Sequence, residues 1–103
     1  MRLFLEGKSF GPGPMKLLEG VEQTGSLNRA AKDMGMSYSK AWKMIRDLEK
    51  EWGFPILVKQ AGGHGGGGSY LTEKGRDLLK RYRGMLADVN DAADEALKKY
   101  FPI

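Results

Sequence analysis

Residues 24–53 read TGSLNRAAKDMGMSYSKAWKMIRDLEKEWG, and their spacing predicts two short helices joined by a tight turn. Ser26 stands where it can cap the first helix, Leu27, Ala30, Ala31 and Met34 follow helical spacing, and Gly35 falls where that helix must stop. Ser37 caps the second helix, whose apolar positions Ala41, Trp42, Ile45, Leu48 and Trp52 lie on or near one stripe. Its solvent side carries Ser39, Lys40, Lys43, Arg46 and Lys50. This is the pattern of a helix-turn-helix, in which the second helix enters the major groove of DNA. The same spacing also occurs in helix pairs whose basic face is merely solvated, so the decision falls to the residues around it.

A chain of 103 residues with 41% hydrophobic content has room for one small core and one extension, and is too short for a further ligand-sensing domain. Having no cysteine, it has neither disulfides nor thiolate metal sites, in keeping with a reducing compartment. No run of about 18 apolar residues occurs, and the first ten residues carry Arg2, Glu6 and Lys8, so neither a signal peptide nor a membrane span is read there. The expectation is a cytoplasmic protein with no membrane partner. The net charge of +4 is unevenly spread: residues 1–83 hold 15 Lys and Arg against 9 Asp and Glu, whereas residues 84–103 hold 2 against 4. That asymmetry suits a body that meets DNA and a tail that meets protein.

Ahead of the helix pair, residues 2–10 (RLFLEGKSF) read as a short strand ending near Gly7, with Leu3 and Leu5 on one face. The breaker cluster Gly11-Pro12-Gly13-Pro14 follows, then a helix from about residue 14 to 23 that can bury Met15, Leu17, Leu18 and Val21. After the pair, Gly53-Phe54-Pro55 breaks the chain, and Ile56, Leu57 and Val58 open a strand that continues through Lys59 and Gln60. Residues 61–69 (AGGHGGGGS) form a loop with six glycines, and Tyr70 to Thr72 look like the returning strand. Strand, glycine loop and strand directly after a helix-turn-helix is the layout of a wing.

From Thr72 the period turns helical again: Leu78, Leu79, Tyr82, Met85, Leu86, Val89, Ala93, Ala96, Leu97 and Tyr100 recur mostly at three- and four-residue steps. An unbroken helix to Tyr100 would span roughly 42 Å and overshoot a body of this size. Its stripe is therefore expected to pack on a second copy, the alternative being a fold-back on its own domain at Gly84. The chain divides accordingly into residues 1–72, a winged helix-turn-helix domain, and 73–103, a dimerisation helix.

The glycine loop fits close approach to a phosphate chain, because its backbone is low and its N–H groups are open. It is not a nucleotide-binding P-loop, for it ends Gly68-Ser69-Tyr70-Leu71 with no Gly-Lys-Ser/Thr. A hairpin with no partner stays open as a reading, but Lys59, Gln60 and His64, with Gly65, Gly66, Gly67 and Ser69, can reach a DNA backbone or minor groove. His64 is the single histidine and has no carboxylate cluster around it, so no metal site is expected. There is no nucleophile–base–acid motif and no paired carboxylates framed by a pocket, so no enzyme is expected and no cofactor is implied.

The residues Ser37-Tyr38-x-x-Ala41-Trp42-x-x-Ile45-x-x-Leu48, the run Gly62-Gly63-His64-Gly65-Gly66-Gly67-Gly68, and Leu71-Thr72-x-x-Gly75 together carry a resemblance. Over nearly all of residues 1 to about 86 the chain resembles the N-terminal DNA-binding domain of the ModE family of molybdate-responsive transcriptional regulators. More distantly it is similar to LysR-type winged helices. The resemblance implies that residues 37–43 begin a recognition helix, that residues 61–69 are the wing, and that residues 2–10 and the helix after Thr72 belong to a homodimer interface. Full-length members of that family continue into oxyanion-binding domains; this chain stops at Ile103, so molybdate or tungstate binding is not expected in it.

The resulting expectation is a mainly α fold with a small β wing, acting as a homodimeric, sequence-specific transcriptional regulator on double-stranded DNA. Ser37, Tyr38, Ser39, Lys40, Lys43 and Arg46 would face bases or flanking phosphates, and Ser26 and Arg29 the backbone. Leu3, Leu5, Leu78, Leu79, Tyr82, Met85, Leu86, Val89, Ala93 and Leu97 would face the second copy. Two rival readings remain: a protein-interaction module that keeps the wing fold and uses the exposed helix, and a small-anion binder that uses the glycine loop.

Overall fold

Three of the helices begin at a hydroxyl. In the computed structural model, which describes residues 1–60 and 68–103, the side-chain oxygens of Ser26, Ser37 and Thr72 accept from the backbone N–H groups of Arg29 (3.1 Å), Lys40 (3.2 Å) and Gly75 (3.0 Å). Each satisfies a donor that the first helical turn would otherwise leave open. The elements run β1 (Leu3–Leu5), β2 (Lys8–Phe10), α1 (Pro12–Thr24), α2 (Leu27–Asp33), α3 (Tyr38–Trp52), β3 (Leu57–Lys59), β4 (Ser69–Leu71) and α4 (Glu73–Tyr100).

The stretch read as one strand over residues 2–10 is two. β1 and β2 pair antiparallel, with Leu3 opposite Phe10 and Leu5 opposite Lys8, around a two-residue turn in which Glu6 and Gly7 take φ of 50° and 81°. Two left-handed residues in succession match the twist of the flanking strands, which is why so short a connection closes. The next helix also starts earlier than the proline cluster suggested. Pro12 occupies the first turn, where its missing N–H costs nothing, and α1 runs on to a left-handed Gly25.

α1, α2 and α3 enclose a core of Leu17, Leu18, Val21, Leu27, Ala30, Ala31, Ala41, Ile45 and Leu48, all buried. α1 and α2 cross closely at Gly20, where a Cβ would fall 2.7 Å from that of Ala30. Ile56, Leu57 and Leu71 close the core beneath the wing, and Phe10 closes it from the hairpin. The hairpin is pinned to the far end of α3: the Trp52 indole N–H donates to the Ser9 carbonyl (2.9 Å), and the Ser9 hydroxyl donates to Glu51 (2.8 Å).

The helix expected over residues 73–100 is continuous, 28 residues long, and passes straight through Gly84. Its first three turns do not face a second copy. Leu78, Leu79 and Tyr82 are buried in the chain's own core, with Tyr82 against Phe10 (ring centroids 4.9 Å apart) and its hydroxyl donating to the Met1 carbonyl. These three expected dimer positions are thereby corrected: the apolar stripe changes its partner partway along the helix. The division at residues 72 and 73 likewise cuts through one packed body, because Thr72 caps α4 and the first turns of α4 complete the core. Arg83 reaches back to Glu19 on α1 (2.6 Å), and beyond Leu86 every helical residue is exposed. That free end gives the molecule its long axis, 58 Å against 29 and 22 Å.

Candidate nucleic-acid interface

Because α3 buries Ala41, Ile45 and Leu48 on one side, its opposite side is left to solvent. Ser37, Tyr38, Ser39, Lys40, Lys43 and Arg46 are all exposed there, as the sequence led one to expect. Ser37 holds one N–H of the first turn, that of Lys40, and no acidic residue stands in that turn to compete with an incoming anion. Lys43 pairs with Asp47 at 3.1 Å, and on α2 Arg29 pairs with Asp33 at 3.2 Å. All four side chains are more than half exposed, so each pair contributes only a few tenths of a kcal/mol and gives way readily to a phosphate.

Trp42, read as lying on or near the apolar stripe, is half-buried against the core at its border and lines a shallow depression with Tyr38, Ser39, Lys43, Arg46 and Asp47. Tyr38 and Trp42 form a T-shaped pair (centroids 6.3 Å, interplanar angle 87°), and the Arg46 guanidinium carbon lies 5.8 Å from the Trp42 ring centroid. Such contacts at an exposed site are worth about 0.5–1 kcal/mol each and favour conformers in which Tyr38 and Arg46 lie beside Trp42.

Beside this face stands the root of the wing. β3 and β4 pair antiparallel with Leu57 opposite Leu71 and Lys59 opposite Ser69. The Glu49 carboxylate of α3 accepts from the N–H groups of Ile56 (2.8 Å) and Leu57 (3.3 Å), tying β3 to α3. On the other strand the Ser69 N–H donates to the Gly25 carbonyl (2.8 Å), tying β4 to the turn between α1 and α2. Lys59 ends 6.0 Å from the Tyr38 ring centroid, so the first strand of the wing and the first turn of α3 share one surface. Gln60 is exposed, and its N–H donates to the Gly68 carbonyl (2.7 Å).

Two expected contacts change. Ser69 is 6% exposed, because it sits on the inward face of β4 between Tyr70 and the Gly25 turn; it fixes the wing and is not available to DNA. Ser26 is half-buried and its oxygen is occupied as a cap, so its contribution is to start α2. His64, Gly65, Gly66 and Gly67 lie outside the described residues. One residue was overlooked: Arg2, distinguished in the sequence only by its charge, lines a cleft together with Lys40 and Lys43.

Among the expected dimer positions other than Leu78, Leu79 and Tyr82, Leu3, Met85 and Leu86 are half-buried against the chain's own core, while Leu5, Val89, Ala93 and Leu97 are exposed. No group of three or more His, Cys, Asp or Glu residues able to hold a metal occurs among the described residues. Nor, among them, is any helix long and apolar enough to cross a membrane.

A helix-turn-helix followed by an antiparallel wing and a long helix defines the chain as a winged helix-turn-helix protein. Residues 14–76, from within α1 to the first turn of α4, match the family of bacterial regulatory helix-turn-helix proteins, lysR family. The chain belongs to that family. It is 38% identical over 88 residues to the molybdenum transport protein ModE of Azotobacter vinelandii, covering 85% of this chain and 33% of that protein. It is 34% identical over 98 residues to the DNA-binding transcriptional dual regulator ModE of Escherichia coli K12, covering 94% of this chain and 37% of that one. The chain thus spans about a third of the length of the curated relatives it matches. Its fold is shared with the protein in the CbnR_DBD–DNA complex (TM-score 0.63, 23% identity, 85% of this chain and 95% of that one). It is shared too with VV2_1132, a LysR family transcriptional regulator (TM-score 0.65, 16% identity, 96% and 32%).

Proposed function

We propose that this chain is a sequence-specific DNA-binding regulator of transcription that works as a homodimer, each copy setting α3 into one half of a pseudo-palindromic site. The observation that carries this is the exposed face of α3, where Ser39, Lys40, Lys43 and Arg46 lie beside Tyr38 and the wing residue Lys59. Hydroxyls and cations on the first turns of a helix that stands clear of its body are what reading a major groove needs. The name of the Escherichia coli relative, a DNA-binding transcriptional dual regulator, supports the same reading. The homodimer is supported by Val89, Ala93 and Leu97, exposed apolar residues spaced along the end of α4 that extends beyond the core. No oxyanion or cofactor site, and no catalysis, is proposed.

The test is binding to short genomic fragments, including DNA upstream of the chain's own gene, across a salt series. One fragment bound in preference to scrambled DNA, with affinity falling steeply as salt rises, is expected. Equal and weak binding to every fragment would favour a second reading, a protein-interaction module, for which the same free end of α4 would be the contact. In the bound fragment, Lys43→Ala is expected to cost about 1–3 kcal/mol if Lys43 reads a base. An even loss across sequences with a shallower salt slope would place it on a phosphate, and unchanged affinity at low salt would remove it from the site.

A further inference from the structure

Between the N-terminal hairpin, the start of α1 and α3 lies an open cleft of about 390 Å³, lined by Ser9, Pro14, Met44 and Leu48 as well as by charged residues. Three cations line it, Arg2 from the hairpin and Lys40 and Lys43 from α3, against two carboxylates, Asp47 and Glu51. Asp47 is paired with Lys43 (3.1 Å), and Glu51, which accepts from the Ser9 hydroxyl (2.8 Å), keeps its charge, so the lining carries a net charge of +1. Lys40 and Arg2 have no ion-pair partner among the described residues.

Arg2 is also placed, not merely present. Its guanidinium carbon lies 5.7 Å from the Phe4 ring centroid, and its stem runs beside Gly11, where a Cβ would come within 3.1 Å of the Arg2 Cγ. The hairpin that carries it is fixed to α3 through Trp52 and Ser9. Arg2 of the hairpin thus lines one cleft with two lysines of α3.

We propose that this cleft seats a DNA backbone phosphate on the flank of the groove that α3 enters, and that Arg2 is the third arm of its grip. The inference rests on the DNA-binding reading given above. A single phosphate carries the one negative charge that the cleft's excess of three cations over two carboxylates can take. A guanidinium suits it because its planar fork offers two parallel donors to phosphate oxygens. The contact positions the protein and carries no base preference. The DNA-facing surface thus extends beyond helix-turn-helix and wing to the hairpin.

The test compares Arg2→Gln, which keeps the stem beside Gly11 but removes the charge, with Arg2→Lys, which keeps the charge. Both are measured in the full chain by fluorescence anisotropy on the preferred fragment and on scrambled DNA, from 50 to 200 mM salt. Thermal unfolding of both variants checks that the hairpin still docks. Arg2→Gln is expected to weaken both DNAs by the same factor, with the slope of log K against log salt shallower by about one, while Arg2→Lys keeps the wild-type slope. If Arg2→Gln leaves affinity and slope unchanged while Lys43→Ala weakens binding, the cleft is not a phosphate seat although the DNA reading stands. A loss confined to the preferred fragment would also overturn it, since that is the mark of a base contact. If the wild-type chain binds neither DNA, the reading beneath the inference fails and the inference with it.

Discussion

Glu6 is the one non-glycine residue with positive φ among the described positions, and its side chain is exposed. The left-handed region costs an ordinary L-residue roughly 1–2 kcal/mol, whereas asparagine tolerates it. Glu6→Asn should therefore stabilise the chain by up to about 1 kcal/mol, raising the unfolding midpoint by about 4–8 °C. A midpoint that does not rise in a scan would show the hairpin contributing little to global stability. The same residue explains why the hairpin was not legible. Asn-Gly or Asp-Gly would have marked a two-residue turn, but Glu-Gly carries no such signature, and residues 2–10 read as one strand. The caps were legible for the opposite reason: Ser26, Ser37 and Thr72 announce their role by chemistry and by position before an apolar run. Of the site, the charged residues of α3 were legible because amphipathic spacing says which side faces water. Trp42 stands at the border of that spacing, half-buried against the core and half open to the charged face.

At the scale of elements, Gly75 shows how tightly the start of α4 packs on the backbone that leads into β3. A Cβ there would run into the carbonyl oxygen of Ile56, which already accepts from the Thr72 N–H (2.9 Å) and its hydroxyl (3.3 Å). Alanine in place of glycine gains about 1 kcal/mol of helix propensity in an open helix, but here the obstacle is backbone that cannot swing aside. Gly75→Ala is expected to lower stability by about 1–3 kcal/mol, read as a reduced denaturant midpoint with unchanged slope. A stabilised variant would mean that α4 slides freely on the wing. Sequence spacing gave the 28-residue length of α4 correctly, yet an apolar stripe says nothing about whose surface it meets. That is why Leu78, Leu79 and Tyr82, read as facing a second copy, lie in the core of the first. Ser69 misled for a similar reason, since alternation along a three-residue strand leaves its inward face undetermined.

Over the whole molecule, the packed body ends near Leu86 and the last fourteen residues of α4 extend from it, about 21 Å of helix at 1.5 Å per residue. Val89 and Leu97, 42% and 59% exposed, are the large aliphatic residues of that extension. Under the proposed homodimer, replacing both by aspartate should leave the midpoint of unfolding of the isolated body near that of the parent. It should also turn a dimer into a monomer in sedimentation and weaken binding to a two-half-site fragment far more than to a single half-site. A double variant that still sediments as a dimer would move the contact elsewhere, with the exposed Leu5 on the hairpin the next position to examine.

The continuity of α4 through Gly84 has a geometric consequence for any such pairing. A straight helix transmits rotation as well as distance, and each residue in it carries about 100° of turn. Under the proposed homodimer, whatever grips the distal end is therefore phased to the exposed face of α3 like a key to its handle. A single inserted residue between Leu86 and Val89 would twist that face by about 100°, while seven residues, very nearly two full turns, would lengthen the shaft and keep its bearing.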